Sequence, residues 1–166
     1  CPAPGAPGAP VIRAMPNTPS AIGQGMTVCF APPAAPEADR ALCTRLLSAV
    51  GAVAWVAEER HMDAVTAVSG SGPAYVFLLA ELMEQAGIAQ GLPAALARQI
   101  ARRTVSGAGA LMEQSGVDAA ELRRRVTSPG GTTQKALDVL MAPSAWPAEM
   151  EAAIAAAAHR AHELAS

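Results

Sequence analysis

Ring side chains are almost missing from this sequence: two Trp, one Tyr and two Phe make up 3% of it. An aromatic core is excluded, so burial must come from Ala, Leu, Val, Ile and Met, a composition that suits closely packed helices. Charge is sparse as well, at 16%, with a formal net charge of -2. With no surplus of Lys and Arg to displace condensed counterions, nucleic acid is not expected as a partner. The Arg102-Arg103 and Arg123-Arg124-Arg125 clusters are local exceptions, read as solvated helix faces or last-turn partners of a helix dipole. There is no run of roughly eighteen apolar residues, and the Ala-rich stretch 152–158 is short and flanked by charge, so no membrane span is expected. No secretory leader is recognised at the start.

Cysteines are few and odd in number, Cys1, Cys29 and Cys43, without paired spacing. That fits reduced thiols in the cytoplasm better than a disulfide framework or a zinc site. His159 and His162 lack a matching set of carboxylates or thiols, so they read as a solvent-facing pair near the chain end, and no metal is expected.

What is abundant is apolar: 51% of the 166 residues are hydrophobic. A small Ala-rich helical unit rarely covers so much apolar area alone, which points to surface buried against a partner chain. Residues 1–10, rich in Pro, Gly and Ala, read as a flexible leader. Short strands are expected over 11–15, 25–31 and 53–56, with a helix over 37–50 ending at Gly51. Beyond residue 58 the pattern is helical throughout. One long element covers 59–86, and Pro93 sits near the first position of a second helix reaching 114. Asp118 with Glu121 makes a capping-box-like start for a third helix to 126. Thr132 is expected to cap a short helix to 141, and Ser144 to open the last one to 165.

Two stretches stand out from this pattern. Ser69-Gly70-Ser71-Gly72-Pro73 lies inside the long helix, although each glycine costs about 1 kcal/mol there and a proline about 3. The expected offset is a kink freeing a carbonyl near Ser69, with the glycines packed tightly against a second helix or a ligand. Reading them as a dinucleotide loop is weak, since no strand precedes them. The second stretch, Val126-Thr127-Ser128-Pro129-Gly130-Gly131-Thr132-Thr133-Gln134, runs hydroxyls and glycines into a helix start. Unpaired N–H groups at a helix mouth, with glycines admitting close approach, make a seat for a small anion; an ordinary capped turn is the plain alternative.

The second stretch, the longer segment Asp63-Ala64-Val65-Thr66-Ala67-Val68-Ser69-Gly70-Ser71-Gly72-Pro73-Ala74-Tyr75 around the first, and Arg13-Ala14-Met15-Pro16-Asn17-Thr18-Pro19 together resemble the pyrroline-5-carboxylate reductase family from about residue 11 to 164. Members open with a strand, a glycine-rich turn and a helix that hold a cofactor pyrophosphate, and nothing here matches that opening. The sequence is therefore expected to be the carboxyl-terminal part of such an enzyme. The resemblance implies an α/β remnant of a Rossmann-like domain over 1–58. An all-α dimerisation and substrate-binding domain over 59–166 comes after it, similar to the helical bundle that ends 6-phosphogluconate dehydrogenase. It implies a homodimer through intertwined helices, associating further as far as a decamer, in the cytoplasm.

The same resemblance implies NADPH, or NADH, as cofactor, with Met15, Pro16, Asn17 and Thr18 near its nicotinamide end. Ser128, Gly130, Gly131, Thr132 and Thr133 would hold the carboxylate of pyrroline-5-carboxylate, and Thr133 would act catalytically at the ring nitrogen. Hydride addition to a cyclic imine needs position and a protonated nitrogen more than a strong base, consistent with motifs that lack a His or carboxylate candidate. Two other readings remain: a non-catalytic helical oligomerisation or ligand-binding module, and a reductase of a related cyclic imino acid.

Overall fold

A computed structural model describes residues 10–165; Cys1 and nearly all of the expected leader lie outside the described residues. The chain divides into two compact units, one formed by 1–73 with 154–166 and the other by 74–153.

In the first unit, three strands, β1 (Arg13–Met15), β2 (Gly25–Phe30) and β3 (Gly51–Val56), form a sheet in the order β1-β2-β3. β1 runs antiparallel to β2, and β3 parallel to it, joined through helix α1 (Glu37–Leu47) and a 3-10 turn at Ser48–Val50. β2 is buried along both faces, which matches its nearly unbroken apolar run. Its head needs glycine twice. A Cβ on Gly51, at φ 147, would strike the Gly25 carbonyl, and a Cβ on Gly25 would strike Ser20 of the 3-10 turn Thr18–Ile22.

α1 covers the face that carries Trp55. The indole N–H donates to Thr44 Oγ1 at 3.0 Å, and the Arg40 guanidinium lies 5.6 Å from the ring centroid. Cys29, opposite Trp55 in the register, is completely buried, and burial pushes its thiol pKa up, with a smaller push from Cys43. Cys43 is half-buried, and both thiols are free.

The long helical element departs from its expected form. It opens as a 3-10 turn at Glu59–His61, continues as α2 (Met62–Val65), widens to a π turn at Thr66–Gly70, and resumes as α3 (Gly72–Ala89). The Ser71 N–H reaches back five residues to the Thr66 carbonyl at 2.8 Å. The strain of Gly-Ser-Gly-Pro is thus absorbed by one wide turn rather than by a proline kink alone. Close backbone packing at the glycines is not found among the described residues. A Cβ on Gly70 would meet Met15 Sδ at 3.5 Å, ordinary contact, and one on Gly72 would meet nothing within 4 Å. Met62 and Ala67, both fully buried, anchor this segment.

In the second unit, α3 turns at Gly91, φ 93, into α4 (Ala94–Ser115), whose N-cap is Pro93 itself. Gly87 lets the two helices approach, since a Cβ there would press Leu92 and Ala97 at 3.3 and 3.4 Å. Arg98 bridges back to Glu84 at 3.0 Å. α4 ends at Gly116, and α5 (Ala119–Arg125), α6 (Thr132–Leu140) and α7 (Trp146–Ala165) complete the chain's described helices. α7 starts at Trp146, two residues after Ser144, which lies in a turn.

Apolar exposure is extensive. Val76, Phe77, Leu78 and Leu82 of α3 are all exposed, and an apolar cleft of about 370 Å³ between α3 and α7 is lined by Tyr75, Leu79, Trp146 and Met150 among others. The continuous run Glu59–Ala89 is long and apolar enough, by length and composition, to cross a membrane, with 6% of its most apolar window buried. One such helix is weak evidence for a membrane. The same bare apolar surface suits a helix covered by another helix of a partner.

Met62→Ala should destabilise the fold by about 2–4 kcal/mol in chemical denaturation, because it empties a fully enclosed site. With a thiol reagent under native conditions, Cys43 should be modified well before Cys29, whose burial keeps it protonated and out of reach.

Candidate functional site

The glycine- and hydroxyl-rich segment forms a tight turn feeding a helix. The Gly131 N–H donates to the Ser128 carbonyl at 3.0 Å, closing a four-residue turn with Pro129 second and Gly130, at φ 70, third. Those are the residue demands of a type II turn. The proline presets the first bend and the glycine accepts the left-handed second.

Gly131, not Thr132, is the N-cap of α6, and it has no side chain with which to cap. Thr132 is instead the first helical residue, a correction with consequences for the site. The first main-chain helix bond is Lys135 N–H to the Gly131 carbonyl, at 3.2 Å. The N–H groups of Thr132, Thr133 and Gln134 therefore precede the bonded ladder with no side-chain acceptor at the cap. Hydroxyls gather around them: Ser128 and Thr132 are exposed and Thr133 is half-buried. A Cβ on Gly131 would displace Ser128 Oγ and press its carbonyl at 3.1 Å, so glycine there leaves the Ser128 hydroxyl in place. The arrangement offers hydroxyls and a positive helix end to an anion.

The loop is approached from α5, whose Asp118 caps it by accepting the Ala120 N–H at 2.8 Å. Glu121 does not complete a capping box. Its two oxygens take Arg124 and Arg125 at 2.7 and 2.9 Å, and these hydrogen bonds hold its carboxyl below the usual range. The Arg123-Arg124-Arg125 cluster thus sits in the last turn of α5, two members paired. Thr127 closes that helix, its Oγ1 donating to the Arg123 carbonyl at 2.6 Å. A cleft of about 390 Å³ between α5 and α6 is lined by Arg123, Thr127, Gln134 and Asp138 among others, but by none of residues 128–133.

The second set of candidates lies in the other unit. Met15 ends β1, and Pro16, Asn17 and Thr18 lead into the 3-10 turn. Pro16 and Thr18 are exposed, while Met15 and Asn17 are half-buried. Asn17 Oδ1 accepts the Met26 N–H at 2.9 Å, and its Nδ2 donates to Ser69 Oγ at 3.4 Å. In sequence Ser69 stands out only as part of a strained helix. Its link to Asn17 spans fifty-two positions and leaves no local pattern to read.

His159 and His162 take separate carboxylates, Glu163 at 3.4 Å and Asp63 at 3.2 Å. The Asp63 contact, across ninety-nine positions, is invisible in sequence. Among the described residues no group of three or more His, Cys, Asp or Glu side chains is placed to hold a metal ion.

The family model for pyrroline-5-carboxylate reductase dimerisation matches residues 59–164. The pyrroline-5-carboxylate reductase of Pseudomonas aeruginosa is 46% identical over 156 residues, which are 94% of this chain and 57% of that protein. A pyrroline-5-carboxylate reductase structure from Coxiella burnetii superposes with a TM-score of 0.90 at 37% identity, over 96% of this chain and 58% of that one. The Plasmodium falciparum pyrroline carboxylate reductase, solved with NADP bound, gives 0.83 at 28% identity, over 96% and 60%. The chain spans about half the length of the curated relatives it matches. A family match over 59–164, with the same segments folded alike in solved relatives, places this chain in the pyrroline-5-carboxylate reductase family.

Proposed function

We propose that this chain is the substrate-binding and dimerisation part of an NAD(P)H-dependent reductase that converts 1-pyrroline-5-carboxylate to L-proline, in proline biosynthesis. The observation that carries the reading is the uncapped head of α6, with three N–H groups and the hydroxyls of Ser128, Thr132 and Thr133 around a turn only glycine permits. Ser128, Gly130, Gly131 and Thr132 hold the substrate carboxylate through main-chain N–H groups and hydroxyls. Thr133 meets the ring nitrogen. Its hydroxyl accepts from the protonated imine and stays bonded as that nitrogen becomes an amine, keeping the C=N carbon electrophilic and in place.

The donor set at 15–18 fits a nicotinamide cofactor. Two anchored residues alternate with two whose side chains are exposed at a strand end, so Pro16 and Thr18 offer surface while Met15 and Asn17 hold position. The group supplies a hydride to the imine carbon when bound. Its choice of NADPH over NADH is favoured by the relative solved with NADP. The chain's own residues bind, orient and hydrogen-bond the imino acid.

We take the sheet with its parallel β2-α1-β3 crossover as the end of a Rossmann-like domain, over 1–58, and 59–166 as the helical dimerisation domain; the family match beginning at 59 supports that boundary. The bare apolar surface of α3 and the cleft it lines with α7 support a homodimer through intertwined helices, open to decamer assembly. Free thiols support a cytoplasmic site.

The test is NADPH oxidation by the intact protein that carries this sequence, given pyrroline-5-carboxylate or its six-membered homologue. Proline formation matching NADPH consumed is expected. No turnover would favour a non-catalytic module, and preference for the larger ring a related imino acid reductase. Thr133→Ala should keep the fold and cost about 1.5–3 kcal/mol of transition-state binding, a fall in kcat/KM of roughly tenfold to a hundredfold. Gly131→Ala should raise KM for the imino acid at least as much, by pushing Ser128 aside.

A further inference from the structure

Asn17 joins three segments, one of them fifty-two positions away in sequence. One amide atom ties the end of β1 to the head of β2 through the Met26 N–H at 2.9 Å, and the other reaches the π turn at Ser69 Oγ, 3.4 Å away. Met15 lies beside the same turn, its Sδ 3.5 Å from where a Cβ on Gly70 would stand. The π turn matters to this contact. Adding one residue to a turn rotates the helical register by about 100°, so Ser69 would point elsewhere on an unbroken α-helix.

We propose that Ser69 is a positioning residue for the cofactor. Through Asn17 it clamps the end of β1 to the π turn, so that Pro16 and Thr18 present a fixed surface to the nicotinamide end. The proposal rests on the reading of residues 15–18 as the cofactor segment. Ser69 acts through Asn17, and the carboxylate of the imino acid is held by a different element, the head of α6. Removing the Ser69 hydroxyl therefore loosens the hold on the cofactor without touching the groups that bind the imino acid.

The experiment uses the intact protein. NADPH affinity is measured without imino acid, from the fluorescence of the bound dihydronicotinamide, alongside KM for pyrroline-5-carboxylate. Ser69→Ala should weaken NADPH binding by roughly fivefold to twentyfold and leave the imino acid KM within about twofold. Ser69→Thr, which keeps the hydroxyl, should restore it, and Ser69→Ala should add nothing to Asn17→Ala, because the Asn17 variant has already lost the link to Ser69 along with its bond to Met26. Ser69→Cys, close in volume and a poor acceptor, serves the same comparison if the alanine variant does not fold. Wild-type NADPH affinity in Ser69→Ala, or additive losses in the double variant, would overturn the positioning role and leave the reductase reading intact. A wild-type protein that binds no NADPH would overturn that reading, and the proposal with it.

Discussion

Apolar area that the chain does not cover by itself is the constraint on which most of this structure turns. α3 is mostly apolar apart from Glu81, Glu84 and Gln85 and has no buried residue, and Leu96, Ile100, Leu111 and Met112 of α4 are exposed with it. At about 25 cal/mol per Å² of apolar area withdrawn from water, such a surface is a strong drive toward association. Helices of this kind normally lie inside something. The few aromatic residues sharpen the point, because small and branched side chains allow helices to approach closely but fill little volume each. Stability of the helical part is then tied to assembly, and a site built on that part inherits the dependence.

The order of strands and helices was legible from periodicity, glycine and proline alone. Gly51, Gly91 and Gly116 stand where elements turn, and Asp118 caps α5 as its residue type demands. What escaped was geometry decided at a distance. The π turn depends on how Met62 and Ala67 seat against the rest of their unit, and no local rule separates a π turn from a kink at Ser-Gly-Ser-Gly-Pro. The cap of α6 was misplaced by one residue because threonine is the stronger capper by type. The Ser128–Gly131 turn, which Pro129 and Gly130 dictate, put glycine at that place instead. The anion-seating character of the loop was legible; the way glycine leaves the helix mouth uncapped was not.

The candidate surface at α6 is largely main chain, in contrast with the candidate segment at 15–18. Around residues 128–133 the chain path itself presents the free N–H groups, so its determinants are the residues that permit the path. Around 15–18 the path is ordinary and side chains hold it, Asn17 above all. The first path is disturbed by adding a methyl group and the second by removing an amide.

The two tryptophans fall one in each compact unit, and this gives the molecule two built-in optical reporters of different character. Trp55 is pinned under α1, its N–H bonded and a guanidinium over its ring, so its emission should register the integrity of the sheet. Trp146 stands 47% exposed at the mouth of the apolar cleft. Its emission tracks the polarity of the cleft it lines, so replacing either tryptophan with phenylalanine leaves a reporter for one unit alone, without any label.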